Sequence, residues 1–423
     1  MTNLVISRIL SQYVEEASLI WLRRDFLVIQ PHYRLEDLAK LDDQLEAHLD
    51  GIRIAYVENA AVVWAVCERE LEWGQPGEIF TAAILAWESG DDAKIVRVLE
   101  AGATTYENSR ALVSALAWLP YDSVAAYIAH LLVDDRANMR RVGLAATVVH
   151  RSDPGQPLID ALDDSDHQLR ARALRAAGEL RRADVLPQLR ERLDDADESA
   201  RLAAAWSVVL MAGDGDAGQI LREFVETAGV GADRALQPVL RRMDVVAAVQ
   251  WIDELALAAD PHVRRSAVIG AGILGVPVTI PWLIEQMRIP TFARVAGESF
   301  SSITGADIAD RELKEEWPDG FVAGPTDDPD DENVNMDPDE NLPWPNRDAI
   351  LQWWGENAGR FDMGTRYLLG QPMTEPWLQH VLRHGFQRQR EAAALELAIR
   401  NPGQPLFNTR APGHRQQRLL EVK

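Results

Sequence analysis

An arginine recurs at nearly constant intervals through the middle of this 423-residue chain. The successive intervals are 30, 30, 31, 33, 30 and 30 residues. Sequence periods of about 20 to 50 residues are typical of folds that stack one supersecondary unit on the next. We therefore expect one array of repeats rather than several unrelated globular domains. The recurring arginines are Arg110, Arg140, Arg170, Arg201, Arg234, Arg264 and Arg294.

Each arginine belongs to a longer pattern, Leu-x-Asp-x5-Arg-x2-small. In three successive units an aspartate stands six residues before the arginine, at Asp134, Asp164 and Asp195. Three residues after the arginine the residue is usually small, as at Gly143 and Ala173. The distance between two packed helices depends on the side chains at their contact. The pattern therefore predicts close helix packing at the same point of each unit.

One unit, at residues 156–180, shows how the pattern folds. Residues 156–162 and 167–180 both have helical periodicity, and the second stretch carries its apolar residues on one face. Aspartates of the turn at 163–166 can accept hydrogen bonds from the free amides that begin the second helix. A helix pair of this length cannot bury its apolar face alone, so the pairs must stack into a superhelix. The predicted fold class is all-α, an α-solenoid of antiparallel helix pairs.

This unit resembles the HEAT repeat over about residues 91–305. In HEAT repeats a turn aspartate and an arginine of the second helix form a ladder between neighbouring units, and the resemblance implies that ladder here. A row of arginines could also bind phosphate groups, but the aspartates that recur in step favour the ladder. The predicted ladder residues are Asp134, Arg140, Asp164, Arg170, Asp195, Arg201, Arg264 and Arg294.

The regions on either side of the repeats differ from them in composition. Residues 1–90 carry apolar helical patterns and are predicted to form an N-terminal helical capping region. Residues 306–346 form an acidic, proline-rich insert. Helical patterns resume at residue 347, so residues 347–423 are predicted to form a C-terminal helical extension with an irregular tail from Pro402.

The chain is strongly acidic, with 66 acidic and 43 basic residues and a formal net charge of −23. This charge argues against nucleic acid or an anionic membrane as the main partner and favours a basic protein. Within the insert, eight acidic residues occur with no basic residue between positions 325 and 343. That stretch is either a solvated loop or a docking surface for a basic partner. The candidate partner-binding residues are Asp327, Asp328, Asp330, Asp331, Glu332, Asp337, Asp339 and Glu340, with Trp344, Trp353 and Trp354 nearby.

No motif in the sequence indicates an enzyme, a cofactor or a metal. The acidic spacing does not fit an EF-hand calcium loop, because Asn333 occupies the glycine position. Residues 270–275 have the glycine spacing of a dinucleotide-binding loop, but a helical pattern precedes them where a strand is required. His380 and His384 lack a third metal ligand. The single cysteine, Cys67, lies in an apolar helical stretch, which favours a buried thiol.

Short stretches along nearly the whole chain resemble an uncharacterised family of proteobacterial HEAT-repeat proteins encoded near type VI secretion effectors. The resemblance implies an immunity protein that binds and occludes a secreted toxin, or an adaptor that loads an effector onto the secretion spike. A HEAT-like lyase enzyme is a third alternative. The stretches are Leu-Arg-Arg-Asp at 22–25, Pro-His-Tyr-Arg-Leu at 31–35, Ala-His-Leu-Asp-Gly at 47–51, Phe-Ser-Ser-Ile-Thr-Gly at 300–305, Leu-Pro-Trp-Pro at 342–345 and Gln-Arg-Gln-Arg-Glu-Ala-Ala at 387–393.

The lack of a readable secretory signal or membrane-spanning stretch predicts a cytoplasmic location. A toxin blocked by a cytoplasmic immunity protein acts in the cytosol, and a nuclease is the natural candidate. Nucleases bind polyanions with basic surfaces, and an acidic solenoid matches such a surface. The sequence therefore predicts a non-enzymatic protein-binding solenoid whose partner is a basic toxin or effector, with no cofactor, no nucleic acid and no membrane.

Overall fold

The computed structural model describes residues 2–310, 312–326 and 336–422, with side chains from residue 8 onward. Those residues fold into helices joined by short turns, with one pair of two-residue antiparallel strands. The predicted all-α fold class is confirmed.

The helices of the first half of the chain are α1 (Thr2–Leu27), α2 (Leu35–Glu70), α3 (Pro76–Ser89), α4 (Asp92–Gly102), α5 (Tyr106–Trp118), α6 (Tyr121–Leu132), α7 (Ala137–Val149), α8 (Gln156–Ala161), α9 (His167–Leu180), α10 (Leu186–Glu191) and α11 (Glu198–Ala212). The second half contains α12 (Gly215–Glu226), α13 (Ala232–Arg242), α14 (Val245–Ala256), α15 (Pro261–Leu274), α16 (Ile280–Gln286), α17 (Pro290–Thr304), α18 (Arg347–Asn357), α19 (Glu375–His384), α20 (Gln387–Arg400) and α21 (Gly413–Leu420), with strands β1 (Tyr367–Leu368) and β2 (Gln371–Pro372).

The chain divides into two compact units. The first contains Met1–Ser207, Arg383–Arg390 and Asn401–Lys423, and the second contains Val208–Leu382 and Glu391–Arg400. In the first unit α3, α5, α7 and α9 stack in order, and α4, α6 and α8 each pack on the helix that follows. In the second unit α13, α15 and α17 stack in the same way, and α12, α14 and α16 pack on the helices that follow. Consecutive helix pairs packed like this are the arrangement of a HEAT-like α-solenoid.

Turn aspartates begin several helices, as the sequence predicts for the turn at 163–166. The Asp166 carboxylate accepts hydrogen bonds from the backbone amides of Gln168 and Leu169 at 3.0 and 2.9 Å. Such a cap stabilises a helix by about 1 kcal/mol, because it satisfies amides that have no partner within the helix. The same role falls to Asp91, Asp214, Asp244 and Asp260 at the starts of α4, α12, α14 and α15.

Arginine–aspartate rungs join neighbouring repeats in the first unit. Arg170 donates from Nε and Nη2 to the two carboxylate oxygens of Asp195, at 2.7 and 2.9 Å. Its Nη1 donates to the carbonyl oxygen of Asp164 at 2.6 Å. Arg140 donates from Nη2 to the Asp164 carboxylate at 2.7 Å. One guanidinium thus binds the turn of its own repeat and the turn of the next. Its bonds to the Asp195 carboxylate join two charged groups, and such hydrogen bonds are stronger than those between neutral groups.

Asp134 and Arg201 are the two remaining predicted ladder residues of the first unit. Asp134 pairs with Arg136 of its own turn, Nη2 to Oδ2, at 2.9 Å. Arg110, which stands 24 residues before Asp134 as Arg140 stands before Asp164, binds Asp25 of α1 instead. Arg201 donates to the carbonyl oxygen of Asp195.

In the second unit the predicted ladder arginines lack a turn aspartate in the next repeat. The residues 24 and 25 positions after Arg264 are arginine and isoleucine, and Arg264 lies over the Phe292 ring, 6.0 Å from its centroid. Arg294 binds Asp337 of the insert, with Nη1 2.5 Å from Oδ2. The sequence-based assignment of Arg294 to a rung between repeats is therefore corrected, because its carboxylate comes from outside the repeats.

Close helix packing at the small residues is confirmed at Gly143. A Cβ atom there would lie 2.8 Å from the backbone nitrogen of Leu132 and 2.9 Å from Cβ of Leu131, so α6 and α7 could not approach as they do with a larger residue. Gly272 of the 270–275 stretch is similar, since a Cβ atom would lie 2.7 Å from Oγ of Ser299. The glycines of that stretch belong to α15 and its C-terminal cap, so they serve helix packing.

Cys67 and the C-terminal tail both belong to the first unit. Burial raises the pKa of the Cys67 thiol to about 12, so the thiol is protonated at neutral pH, and the expected buried thiol is confirmed. The tail, in contrast, is not irregular throughout. Its last helix, α21, packs on α2, and the amide of Gly413 donates to the Asp42 carboxylate at 2.5 Å. Asp42 also accepts from Nε of Arg24 at 2.5 Å, so this buried ion pair anchors the tail.

Replacing Asp195 by asparagine tests the rung. The side chains of Asp195 and Arg170 are 3% and 13% exposed, and removing one partner of a buried ion pair costs about 3 kcal/mol or more. We expect urea unfolding at pH 7 to show a loss of about that size. Asp163→Asn is the matched control, because Asp163 pairs with Arg192 in an exposed contact worth at most about 1 kcal/mol. Equal losses for the two variants would contradict the rung's importance.

The same rung predicts a pH dependence. The hydrogen bond from Arg170 lowers the pKa of Asp195 below its ordinary value. A carboxylate with a lowered folded pKa contributes stability above its unfolded pKa, about 3.9, and loses it as the pH falls through the folded value. The difference in unfolding free energy between the wild type and Asp195→Asn should therefore shrink below about pH 4.

Candidate functional site

The ends of the insert are held together in the second unit by backbone hydrogen bonds. The amide of Glu315 donates to the carbonyl oxygen of Trp344 at 2.9 Å, and the amide of Asn346 donates to that of Leu313 at 2.7 Å. Residues 313–315 and 344–346 therefore lie side by side, with Lys314 and Pro345 in an isolated antiparallel bridge. This pairing forms the base of the acidic segment.

Arg294 of α17 sits in an aromatic cage next to that base. Its guanidinium carbon lies 4.6, 5.5 and 5.8 Å from the ring centroids of Trp317, Phe321 and Trp344. Asp337 neutralises the charge, and both side chains of the ion pair are almost fully buried. Planar guanidinium groups stack well on aromatic faces while donating in their plane. The cage therefore fixes the insert to the last repeat helix.

A second ion pair anchors the insert one helix earlier. Arg265 of α15 donates from Nη1 and Nη2 to the two carboxylate oxygens of Asp339, at 2.7 and 2.5 Å. Asp339 is buried, and its amide donates to the Asp337 carboxylate at 2.9 Å. The segment Asp337-Pro338-Asp339 thus spans the two neighbouring helices α15 and α17. Asp337 and Asp339, which the sequence assigns to a partner, instead neutralise arginines of their own chain.

The three tryptophans of this region are also placed inside the fold. Trp344 and Trp354 are buried, and the half-buried Trp353 meets the Phe300 ring edge-on with centroids 5.5 Å apart. They pack against the last repeat helix, which has no following repeat to cover it. Trp344 and Trp354 therefore belong to the core of the second unit, whereas a role of the half-buried Trp353 in partner contact stays a prediction.

The remaining candidate acids fall into two groups. Glu340 is exposed, so its carboxylate is accessible to a partner. The other five lie outside the described residues, and their role in binding stays a prediction. They are Asp327, Asp328, Asp330, Asp331 and Glu332.

An apolar stripe that the sequence analysis missed lies on α1 in the first unit. Leu19, Leu22, Phe26 and Ile29 are 64%, 37%, 51% and 46% exposed. Their 3-4-3 spacing puts them on one face of the helix and its immediate extension. The opposite face, with Val14 and Trp21 among others, is buried against the helices that follow.

The signal for this stripe is present in the sequence. Apolar residues occupy two faces of α1, whereas a helix that only covers a core needs one. Exposed charged residues, Glu15 and Arg23, flank the stripe. We call Leu19, Leu22, Phe26 and Ile29 the α1 stripe. An apolar core with a charged rim is the composition of a protein-contact surface.

The part of the chain that the structure covers lacks two features, a cluster of metal ligands and a membrane-spanning helix. No group of three or more histidine, cysteine, aspartate or glutamate side chains is arranged there to hold a metal ion. No helix among the described residues is long and apolar enough to span a bilayer.

Comparison with known proteins supports the repeat class. A family model described as HEAT repeats matches residues 155–237, which run from the start of α8 into α13. A search of curated proteins found no match to the chain. HEAT repeats generally mediate contacts between proteins.

Proposed function

We propose that this chain binds a basic partner protein, with the α1 stripe holding the partner and the acidic surface steering its approach. The observation that carries the proposal is the α1 stripe. A helix at the end of a repeat array ordinarily has a polar outer face that keeps the array soluble. An exposed apolar row at that position loses free energy in water unless another protein covers it.

Charge selects the class of partner. The chain has 23 more acidic than basic residues, and Arg140, Arg170 and Arg294 are already neutralised by carboxylates of the same chain. Acidic surfaces attract basic partners and can raise association rates by about 10 to 1,000-fold at low salt. The five acids at 327–332 supply the most concentrated negative charge in the sequence.

The cellular role that fits this partner is immunity to a cytosol-acting type VI secretion toxin, such as a nuclease. Nucleases carry basic clefts, because their substrates are polyanions. A rigid acidic scaffold can occlude such a cleft without any catalytic group. The support for this step is the resemblance of the sequence to HEAT-repeat proteins encoded near type VI effectors, together with the net charge.

Co-expression with the toxin encoded beside the gene tests this role. We expect the wild-type chain to restore growth to cells that make the toxin. The double variant Leu22→Asp with Phe26→Asp should fail to protect, because two charges in an apolar contact cost several kcal/mol of binding free energy, about 3 or more. Val133→Asp should protect like the wild type, since Val133 is an exposed apolar residue of the same unit outside the α1 stripe.

Two outcomes would contradict the assignment. Continued growth arrest with both proteins present and not associated would exclude binding. Stable association without protection would replace immunity by the adaptor role, in which the chain carries an effector to the secretion spike.

Neutralising the acids at 327–332 tests whether they steer the approach of the partner, separately from whether the α1 stripe holds it. The variant carries asparagine at 327, 328, 330 and 331 and glutamine at 332, and it keeps Asp337 and Asp339 because these neutralise Arg294 and Arg265 of the repeat helices. We expect association to slow by about tenfold at low salt and its salt dependence to flatten, with little change in dissociation. Stopped-flow mixing measures both rates. An unchanged association rate at low salt would identify these residues as a solvated loop.

A further inference from the structure

Arg141 of α7 is a buried cation that lacks a matching anion. It is 9% exposed, and among the residues that the structure covers no carboxylate lies within ion-pair distance of its guanidinium. Its side-chain hydrogen bond, from Nη2 to Oγ of Ser109, is long at 3.3 Å, and its Nε is buried with no partner. Its guanidinium carbon lies 5.2 Å from the centroid of the Tyr106 ring.

Some other buried arginines of this chain have carboxylate partners. Arg24 pairs with Asp42, and Arg241 pairs with Glu396. A buried charge without a partner is costly, because desolvation is not repaid by an ion pair. Burial lowers the pKa of Arg141 below its ordinary value and outweighs Tyr106 and Asp166, whose electrostatic effects raise it. Arg141 therefore lacks the direct ion pair that Arg24 and Arg241 make.

Arg172, on the neighbouring helix α9, adds unused donor capacity at the same place. Its Nη2 donates to Glu179 at 3.1 Å, but its Nη1 is buried with no hydrogen-bond partner. Glu179 is shared with Arg175, so one carboxylate serves two arginines. Tyr106, whose ring lies beside Arg141, is 59% exposed.

The second unit shows how the equivalent position is filled. Arg265 follows the ladder arginine Arg264 by one residue, as Arg141 follows Arg140. The Arg265 guanidinium binds Asp339, and Arg294 on the next stacked helix binds Asp337. An extended segment with two carboxylates one residue apart therefore bridges two neighbouring repeat helices in the second unit.

We propose that Arg141 and Arg172 form a binding site for an acidic peptide segment of another protein, with two carboxylates spaced as in Asp-x-Asp. The segment docks across α7 and α9, with Arg141 in the register of Arg265 and with Arg172 two residues after Arg170, which holds the register of Arg294. One carboxylate binds Arg141, stacked on Tyr106, and the other binds the free Nη1 of Arg172. This site is separate from the α1 stripe, and it takes a ligand of opposite charge, so it stands or falls independently of the proposed function.

The probe is a fluorescein-labelled peptide with the sequence of residues 336–341, Met-Asp-Pro-Asp-Glu-Asn. We expect the full-length chain to raise its fluorescence anisotropy at low ionic strength. Arg141→Gln and Arg172→Gln should each weaken binding by at least about tenfold, the size of one lost charge-assisted contact. Arg136→Gln is the control, because Arg136 stands at the start of α7, its side chain is exposed, and the substitution removes the same charge.

Thermal unfolding separates binding from a structural role. Since Arg141 has no ion pair to lose, Arg141→Gln should leave the Tm unchanged or raise it. A loss of peptide binding with an unchanged Tm supports the site. The proposal is overturned if the wild type does not bind the peptide, if both glutamine variants bind it as the wild type does, or if a peptide with asparagine for aspartate binds equally well.

Discussion

The bidentate contact between Arg170 and Asp195 fixes how one helix pair sits on the next in the first unit. The same guanidinium holds the carbonyl oxygen of Asp164, so one side chain satisfies polar groups on two successive turns. Each helix pair depends on its neighbour to bury its apolar face. The rung therefore determines which side chains meet in the core, and its own burial makes it sensitive to the loss of either partner.

In the second unit the insert supplies the carboxylates. Asp337 binds Arg294, which is at a ladder position, and Asp339 binds Arg265, which is one residue after the ladder position Arg264. This exchange gives the acids of the insert two roles. Asp337 and Asp339 belong to the core, whereas the acids at 327–332 are the ones we propose for partner steering. In the first unit, we propose that a carboxylate of another protein binds Arg141 as Asp339 binds Arg265.

The sequence predicts the regular part of this fold well. The arginine period, the small residues such as Gly143 and the turn aspartates each report a local constraint that recurs in several repeats. It predicts the ends of the array poorly. The partner of Arg294 lies 43 residues away in a region without periodicity, and nothing local links Asp337 to that helix. The exposure of Leu19 and Phe26 likewise depends on which face of α1 the next helices cover, which helical spacing alone does not settle.

In the proposed complex a basic protein covers the α1 stripe. Hydrogen exchange of the full-length chain, measured with and without a saturating amount of the toxin encoded beside its gene, tests this most directly. Binding there should slow exchange of the amides between residues 15 and 29 and leave those of α14 unchanged, although α14 also exposes an apolar residue, Val246. Unchanged exchange along α1 in a complex that protects another helix would contradict the claim.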